Sequence, residues 1–220
     1  MKSDIKGGTA FSYVDMELAP GEVIITESDA MSSMDADMEM KAIFNGGLFK
    51  GLLRKYLGGE SLFLSRYANS ASAPRRITFV QPTPGQIREI ELAAGESLYL
   101  QPGAFLACSE SVTLGLSFAG LISWIAREGL FRLEAKGPGK LWYGAYGALL
   151  DRQIKGEYIV DTSHLVAYDK NIKLKLQFAG GLFSSLFGGE GLVLRLEGEG
   201  RAVIQTRSMS GLANWVNPKL

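Results

Sequence analysis

The sequence contains few side chains that could carry out catalysis. His164 is the only histidine and Cys108 the only cysteine among 220 residues. A histidine can act as a general base near neutral pH, and a cysteine can act as a nucleophile where a neighbouring base lowers its pKa. His164, however, follows Asp161, Thr162 and Ser163, which are typical turn residues. We therefore predict a turn or surface histidine, a small buried thiol and no enzymatic activity.

Metal and phosphate chemistry have equally little support. One histidine and one cysteine are too few for a multi-histidine metal site, and no G-x-x-x-x-G-K-[ST] segment is present. Two sets of glutamates do recur along the chain, Glu22, Glu96 and Glu157 together with Glu60, Glu128 and Glu190. Such sets could line an axis and bind a cation. Alternatively, each glutamate accepts backbone N–H bonds in a turn or pairs with a nearby Lys or Arg. We favour this alternative and predict no cofactor and no metal.

The first set of glutamates belongs to a pattern that occurs three times. A Gly-Glu pair precedes an apolar segment at Gly21, Gly95 and Gly156. An alternating segment that ends in phenylalanine then follows, at residues 38–44, 112–118 and 172–178. Alternation with a period of two places the apolar residues of each segment on one face of a strand. The near-constant spacing between the two features indicates an internal repeat.

The pattern predicts an all-β chain of three tandem repeats, at residues 1–85, 86–148 and 149–220. Each repeat holds several short strands separated by Gly, Pro or Asp turns, among them the Gly-x-Gly turns at 137–139 and 198–200. No Pro/Ser-rich linker separates the repeats, so we expect one compact body with pseudo-threefold symmetry. The acids of the first repeat alternate as well, which predicts that they share the exposed face of one strand: Asp35, Asp37 and Glu39.

The composition excludes several classes of function. The chain carries 23 basic and 23 acidic residues and has no net charge, so it lacks the basic surface of a general nucleic-acid binder. The N-terminus does not have the pattern of a secretory signal, and no run of 18 apolar residues predicts a membrane-spanning helix. A single cysteine allows no internal disulfide. A cytoplasmic protein that does not bind nucleic acid is the expectation.

Three apolar, mostly glycine-rich loops, at residues 44–59, 118–130 and 178–192, connect equivalent strands of the repeats. Threefold symmetry would place all three on one side of the body. Their candidate contact residues are Leu48, Phe49, Leu52, Leu53, Tyr56, Leu121, Ile122, Trp124, Leu182, Phe183, Leu186 and Phe187. Exposed apolar patches of this size usually form an interface, and aromatic residues beside cations also suit a membrane surface. A third alternative is that each loop plugs its own β unit. We predict a homo-oligomer that associates through these loops, with possible peripheral membrane contact.

The Gly-Glu turn, the strand ending in Phe-x-Gly, the apolar hairpin and the three-copy layout resemble the altered-inheritance-of-mitochondria family. That family is similar in fold to the tryptophan RNA-binding attenuation protein (TRAP). The resemblance spans Met16 to Ser208. It implies a shortened, TRAP-like double-stranded β-helix in each of three repeats, and a link to inner-membrane organisation in mitochondrial members. It supplies no catalytic residues. The expected function is a non-enzymatic scaffold or binding module. The alternatives are a membrane-surface organiser and, ranked last, a small-molecule or metal-dependent enzyme.

Overall fold

The computed structural model describes residues 1–44, 63–101, 103–118, 131–178 and 192–217. Within these ranges the fold is all-β, as the sequence predicts, and it also contains one short helix. The strands of the first part are β1 (Lys2–Lys6), β2 (Tyr13–Leu18), β3 (Val23–Glu27), β4 (Met31–Met34), β5 (Glu39–Phe44), β6 (Phe63–Ala68) and β7 (Arg75–Val80). Those that follow are β8 (Ile87–Leu92), β9 (Ser97–Leu100), β10 (Phe105–Ser109), β11 (Thr113–Phe118), β12 (Phe131–Lys136) and β13 (Gly139–Gly144). The last elements are β14 (Leu149–Asp161), a 3-10 turn (Thr162–His164), β15 (Leu165–Asp169), β16 (Lys173–Phe178), β17 (Leu192–Gln205) and the helix α1 (Met209–Val216).

The described strands form three antiparallel sheets. The first has the order β1-β2-β7-β4, and the second has the order β5-β6-β3-β10-β13-β8. The third has the order β11-β12-β9-β15-β17-β14, with β16 paired to β17 beside this path. Because antiparallel sheets can bury one face and expose the other, alternating sequences suit them well.

Strand β2 illustrates how the sequence produces these sheets. Val14, Met16 and Leu18 are buried, and the residues between them are only partly buried. In the neighbouring strand β7, Phe79 lies opposite Val14 and Ile77 lies opposite Met16, and both are buried. Complete burial of each such side chain contributes about 1.5–3 kcal/mol. Period-two alternation in both strands therefore fixes which face turns inward and in which register they pair.

The strands β14 and β17 are long and pair with each other over nearly their whole length. The predicted turn at Gly198-Glu199-Gly200 is wrong, because these residues lie inside β17. Both glycines adopt positive φ, and a Cβ at Gly198 would come within 2.6 Å of the Asn171 carbonyl oxygen. The glycines let the strand bend without interrupting the ladder. The other predicted turn, at 137–139, does separate β12 from β13.

Buried side chains form three clusters, and strands from distant parts of the chain share them. The cluster around β2 and β7 also contains Leu106 and Trp142, from β10 and β13. The cluster around β9, β12 and β13 also contains Val166 and Val203, from β15 and β17. The third cluster contains Tyr99 from β9 and otherwise lies within β14 to β17. Neighbouring parts of the chain therefore fill each other's cores.

One prediction about the first repeat is wrong. Strand β4 ends at Met34 and β5 begins at Glu39, so a turn separates Asp35 from Glu39. The acids consequently do not share a strand face. Asp35 and Asp37 instead bind the neighbouring strand β7, the first through the backbone N–H of Arg76 at 2.8 Å and the second through the guanidinium of Arg75 at 2.6 Å. Alternation alone could not distinguish this turn from a strand.

The C-terminal helix α1 was not predicted from the sequence. The Ser208 hydroxyl accepts a hydrogen bond from the Gly211 backbone N–H at 3.1 Å, which caps its first turn. None of its residues is buried. The side chains of Trp215 and Val216 are 82% and 66% exposed, so the described part of the chain leaves its apolar face uncovered.

Candidate functional site

The loop residues predicted to form an interface lie outside the described residues. These are Leu48, Phe49, Leu52, Leu53, Tyr56, Leu121, Ile122, Trp124, Leu182, Phe183, Leu186 and Phe187. The recurring glutamates Glu60, Glu128 and Glu190 lie outside them as well. Loop-mediated association therefore stays a prediction.

His164 closes the 3-10 turn before β15, in agreement with the prediction of a turn histidine. Its Nδ1 donates a hydrogen bond to the backbone oxygen of Gln205 at 2.7 Å. The Gln205 side chain returns a bond to the Ser163 carbonyl at 2.9 Å. The imidazole thus fastens the turn to the end of β17, which is a structural role.

Cys108 is fully buried in β10, which confirms the prediction of a small buried thiol. Burial raises the pKa of the Cys108 thiol to about 12. The thiolate is the nucleophilic form of cysteine, and this thiol stays protonated at neutral pH. Its position opposite Ile25 in the neighbouring strand β3 is instead a packing position.

The first set of recurring glutamates acts locally. Glu22 accepts a hydrogen bond from the Ala19 backbone N–H, and Glu96 accepts one from the Ala93 backbone N–H, both at 2.7 Å. Glu157 lies inside β14 and not in a turn, and it pairs with Arg195 of β17 at 2.8 Å. Among the described residues, no three His, Cys, Asp or Glu side chains converge in a way that could hold a metal ion. No described helix is both long enough and apolar enough to cross a membrane.

Strands β4 and β14 differ from β3 and β9 in the number of neighbouring strands with which they pair. Strand β3 has a neighbour on each side, β6 and β10, and β9 likewise has β12 and β15. Among the described strands, the C-terminal part of β14, Glu157–Asp161, pairs with β17 on one side only. Within the same set of strands, β4 pairs only with β7. We call β3 and β9 the receiving strands and Glu157–Asp161 the receiving edge. We call β10 and β15, which pair with the receiving strands, the joining strands, and we call Met31–Met34 the joining edge.

The first receiving contact joins β3 to β10 through three opposed residue pairs. Cys108 lies opposite Ile25, with Ser109 opposite Ile24. Ile24 is fully buried at this contact. Arg66, from the neighbouring strand β6, also reaches the turn after β10 and pairs with Glu110 at 3.0 Å.

The second receiving contact joins β9 to β15 in the same way. Tyr168 lies opposite Tyr99, with ring centroids 5.4 Å apart. The guanidinium of Arg132 lies 4.2 Å from the Tyr99 ring centroid and donates to the Tyr168 hydroxyl at 2.7 Å. A cation over an aromatic face is attracted by the ring quadrupole. As a result Tyr99 is 9% exposed and Leu98 beside it 1% exposed.

The receiving edge has no such cover. Its residues Tyr158 and Ile159 are 37% and 55% exposed, although they belong to an apolar segment that pairs with β17 like its counterparts. No ladder joins β4 to β14 among the described residues, so the third contact expected of a closed threefold arrangement is not formed. An unpaired strand edge with exposed apolar side chains is a template for pairing with another strand.

Sequence reasoning missed these edges, although a signal was present. In the predicted three-copy layout, copies joined in a row have only two internal contacts, so spare edges follow unless the copies close into a ring. The apolar Tyr158-Ile159 pair follows the third Gly-Glu pair, as Ile24-Ile25 and Leu98-Tyr99 follow the first and second. The sequence did not show which strands pair with each other.

The comparisons with known proteins agree with this fold. The chain is 26% identical, over 97% of its own length and 88% of the relative's, to the uncharacterized protein M6_Spy0233 of Streptococcus pyogenes serotype M6. A crystal structure of protein SPYM3_0169 from Streptococcus pyogenes superposes with a TM-score of 0.80 at 24% identity, covering 100% of this chain and 99% of that one. The family model described as mitochondrial biogenesis AIM24 matches residues 3–207. The chain therefore belongs to the AIM24 family.

Proposed function

We propose that the protein is a non-enzymatic scaffold built from three copies of one shortened double-stranded β-helix unit, and that copies of the chain associate. The chemistry of the described residues supports the first half of this proposal. The thiol of Cys108 is buried and protonated, and the imidazole of His164 is held to a backbone oxygen. Glu22 and Glu96 bind backbone N–H groups of their own turns, and Glu157 pairs with Arg195.

The strand pairing supports three copies. Three antiparallel strand pairs correspond to one another: β2 with β7, β8 with β13, and the outer end of β14 with the outer end of β17. A register shift of one residue occurs at the same place in β4, β10 and β15. The residue that ends or follows each of these strands then accepts a hydrogen bond from a backbone N–H, in the pairs Asp35 with Arg76, Ser109 with Lys140 and Asp169 with Arg201.

The single observation that carries the proposal of association is the receiving edge. Tyr99 at a covered position of β9 is 9% exposed, whereas Ile159 at the uncovered edge is 55% exposed. Natural proteins usually protect long sheet edges with charges, prolines or bulges. Glu157 and Asp161 stand at the two ends of the receiving edge, but the Tyr158-Ile159-Val160 segment between them has no charge, no proline and no register shift against β17. This is consistent with an edge that pairs with another strand in solution.

Substitution of Ile159 by lysine tests the proposal. We expect light scattering to give the wild type a mass that is a multiple of the 23.8 kDa chain at micromolar concentration, and Ile159→Lys the mass of one chain. A charge on an edge strand opposes pairing because it must lose water when the edge is covered.

A matched control is Phe11→Lys, which places the same charge at an exposed aromatic residue between β1 and β2. This variant is expected to associate like the wild type. A wild type that has single-chain mass throughout the micromolar range would contradict the proposal.

A second candidate function, contact with a membrane surface, is favoured by α1. Met209, Leu212, Trp215 and Val216 lie within one face of this helix, with Ser210, Gly211 and Asn214 on the other. The four apolar side chains are each at least 36% exposed. A short helix with an uncovered apolar face and a tryptophan can lie in the headgroup region of a lipid layer.

Flotation with anionic vesicles tests this candidate. We expect the wild type to float with the vesicles and Trp215→Ala to bind about tenfold more weakly, since one aromatic anchor is removed. Phe11→Ala removes an exposed aromatic residue outside the helix and should leave binding unchanged. Equal flotation of both variants, or no flotation of the wild type, would exclude α1 as the anchor.

A further inference from the structure

We propose that the receiving edge of one chain pairs with the joining edge of a second copy, with Val160 opposite Ser33, Ile159 opposite Met34 and Tyr158 opposite Asp35. This inference rests on the proposed function, because it specifies the contact through which the copies associate. The described part of the chain has one spare receiving edge and one spare joining edge. A second copy is therefore the occupant that supplies the missing half of each contact.

The register on the receiving side follows from the hairpins β5–β6, β11–β12 and β16–β17. Their first residue pairs are Phe44 with Phe63, Phe118 with Phe131, and Phe178 with Leu192. Four residues further along β6, Tyr67 lies opposite Ile24. At the same step Ala135 of β12 lies opposite Leu98, and Leu196 of β17 lies opposite Tyr158. Ile25, Tyr99 and Ile159 follow directly, so these three residues occupy equivalent positions.

The register on the joining side follows from the shared bulge. After the register shift, Ser33, Ala107 and Ala167 lie opposite Thr78, Trp142 and Val203. The next residues along are Met34, Cys108 and Tyr168, which are therefore equivalent. In the two contacts within the chain, Cys108 lies opposite Ile25 and Tyr168 opposite Tyr99. Extension of this rule places Met34 opposite Ile159.

The side chains in the new contact indicate its strength. Met34 is half-buried and would cover the exposed side chain of Ile159. Beside the two contacts within the chain, however, the residues opposite Ala107 and Ala167 in β13 and β17 are Trp142 and Val203, and both are buried. The equivalent residue opposite Ser33 is Thr78, which is partly exposed. Ser33 likewise replaces Ala107 and Ala167. The contact between chains is thus more polar than the contacts within the chain, which suits an edge that is also stable in water and forms a weaker, reversible interface.

The two edges are different surfaces, so the contact is heterologous. Each chain offers its receiving edge to one neighbour and its joining edge to another. Repetition of such a contact closes into a ring if the rotation allows, and otherwise forms an open chain. A symmetric contact between two receiving edges would instead give a dimer, and assembly through these edges would end there.

Cysteine cross-linking tests the register. Met34→Cys and Ile159→Cys are made in separate chains of different tagged mass, mixed and mildly oxidised. Directly opposed residues of antiparallel strands have Cα atoms about 4.5–5.5 Å apart, within the range that a disulfide bridges. We expect the mixture to form a mixed disulfide, and neither variant alone to do so. Cys108 is buried, and wild-type protein treated in the same way shows its background.

The matched control pairs Ile159→Cys with Met31→Cys, a half-buried residue on the same joining edge but beyond the bulge. This pair should cross-link about tenfold more slowly, because its Cα atoms are too far apart. Cross-linking of Ile159→Cys with itself, or preference for Met31→Cys, in chains that do associate would overturn the register and leave the proposed function intact. Chains that remain single throughout would overturn both.

Discussion

Replacement of Trp142 by alanine is expected to lower the free energy of unfolding by about 3–5 kcal/mol, as deletion of a large buried aromatic side chain does. Trp142 belongs to β13 but is fully buried in the cluster around β2 and β7, with Val14 and Met16. Its loss would open a cavity where β13 packs against β2 and β7. Urea unfolding monitored by circular dichroism measures the change.

The indole of Trp142 also has a polar partner. Its Nε1 donates to Glu89 at 3.0 Å, and Glu89 further accepts bonds from Lys140 and Ser3. Burial pushes the pKa of Glu89 upward, but these donors outweigh burial and hold the pKa below its usual range. Trp142→Phe keeps a six-membered aromatic ring and removes the pyrrole ring with its N–H donor, so it should cost less than Trp142→Ala, about 1–2 kcal/mol.

A tryptophan on the surface serves as the control for this series. Trp215 is 82% exposed in α1, and Trp215→Ala should change stability by no more than about 0.5 kcal/mol. If Trp142→Ala were as mild as this control, the indole would not be filling the core around β2 and β7.

Substitution of Gly85 by alanine is the second change with a large expected effect, about 3 kcal/mol of destabilisation. A Cβ at Gly85 would come within 1.9 Å of the Ala145 carbonyl oxygen and 2.7 Å of the Gly147 backbone nitrogen. These are backbone atoms, so the two segments would have to separate. Their separation would strain the hydrogen bonds from Gln86 N–H to the Gly147 oxygen at 2.8 Å and from Gly147 N–H to the Pro84 oxygen at 3.0 Å.

Gly115→Ala is the matched control, since a Cβ at Gly115 in β11 meets no atom within 4 Å. There the substitution reduces the flexibility of the unfolded chain and should be neutral or slightly stabilising. Thermal unfolding of both variants compares them directly. Similar melting temperatures would show that the contact between 85 and 147 has room to adjust.

The outcome for individual residues shows how far sequence reasoning reached. The alternating segments 112–118 and 172–178 became β11 and β16 within one residue, because alternation is a local property of a strand that is buried on one face. The predicted burial of Cys108 was also confirmed. The grouping of Asp35 with Glu39 failed because alternating acids occur in turns as well as in strands.

The candidate site was harder to predict. The sequence drew attention to the apolar loops, which lie outside the described residues, while the exposed pair Tyr158-Ile159 had the composition of an ordinary buried strand. Whether such a strand is covered depends on a partner that is far away in the chain, and no local pattern encodes that partner. Helix α1 was missed because eight residues without charge, one of them glycine, form a weak helical signal.

The sequence by itself determined the all-β class, the alternating strands and the lack of a visible catalytic constellation, since these depend on residue types and short spacings. Only the tertiary structure decided that Trp142 packs in the core around β2 and β7, that Gly85 meets Gly147, and that no described residue covers Ile159. The physical reason is that strand pairing joins residues distant in sequence. The number of unpaired edges is therefore a property of the assembled sheets, and each strand taken alone is compatible with either outcome.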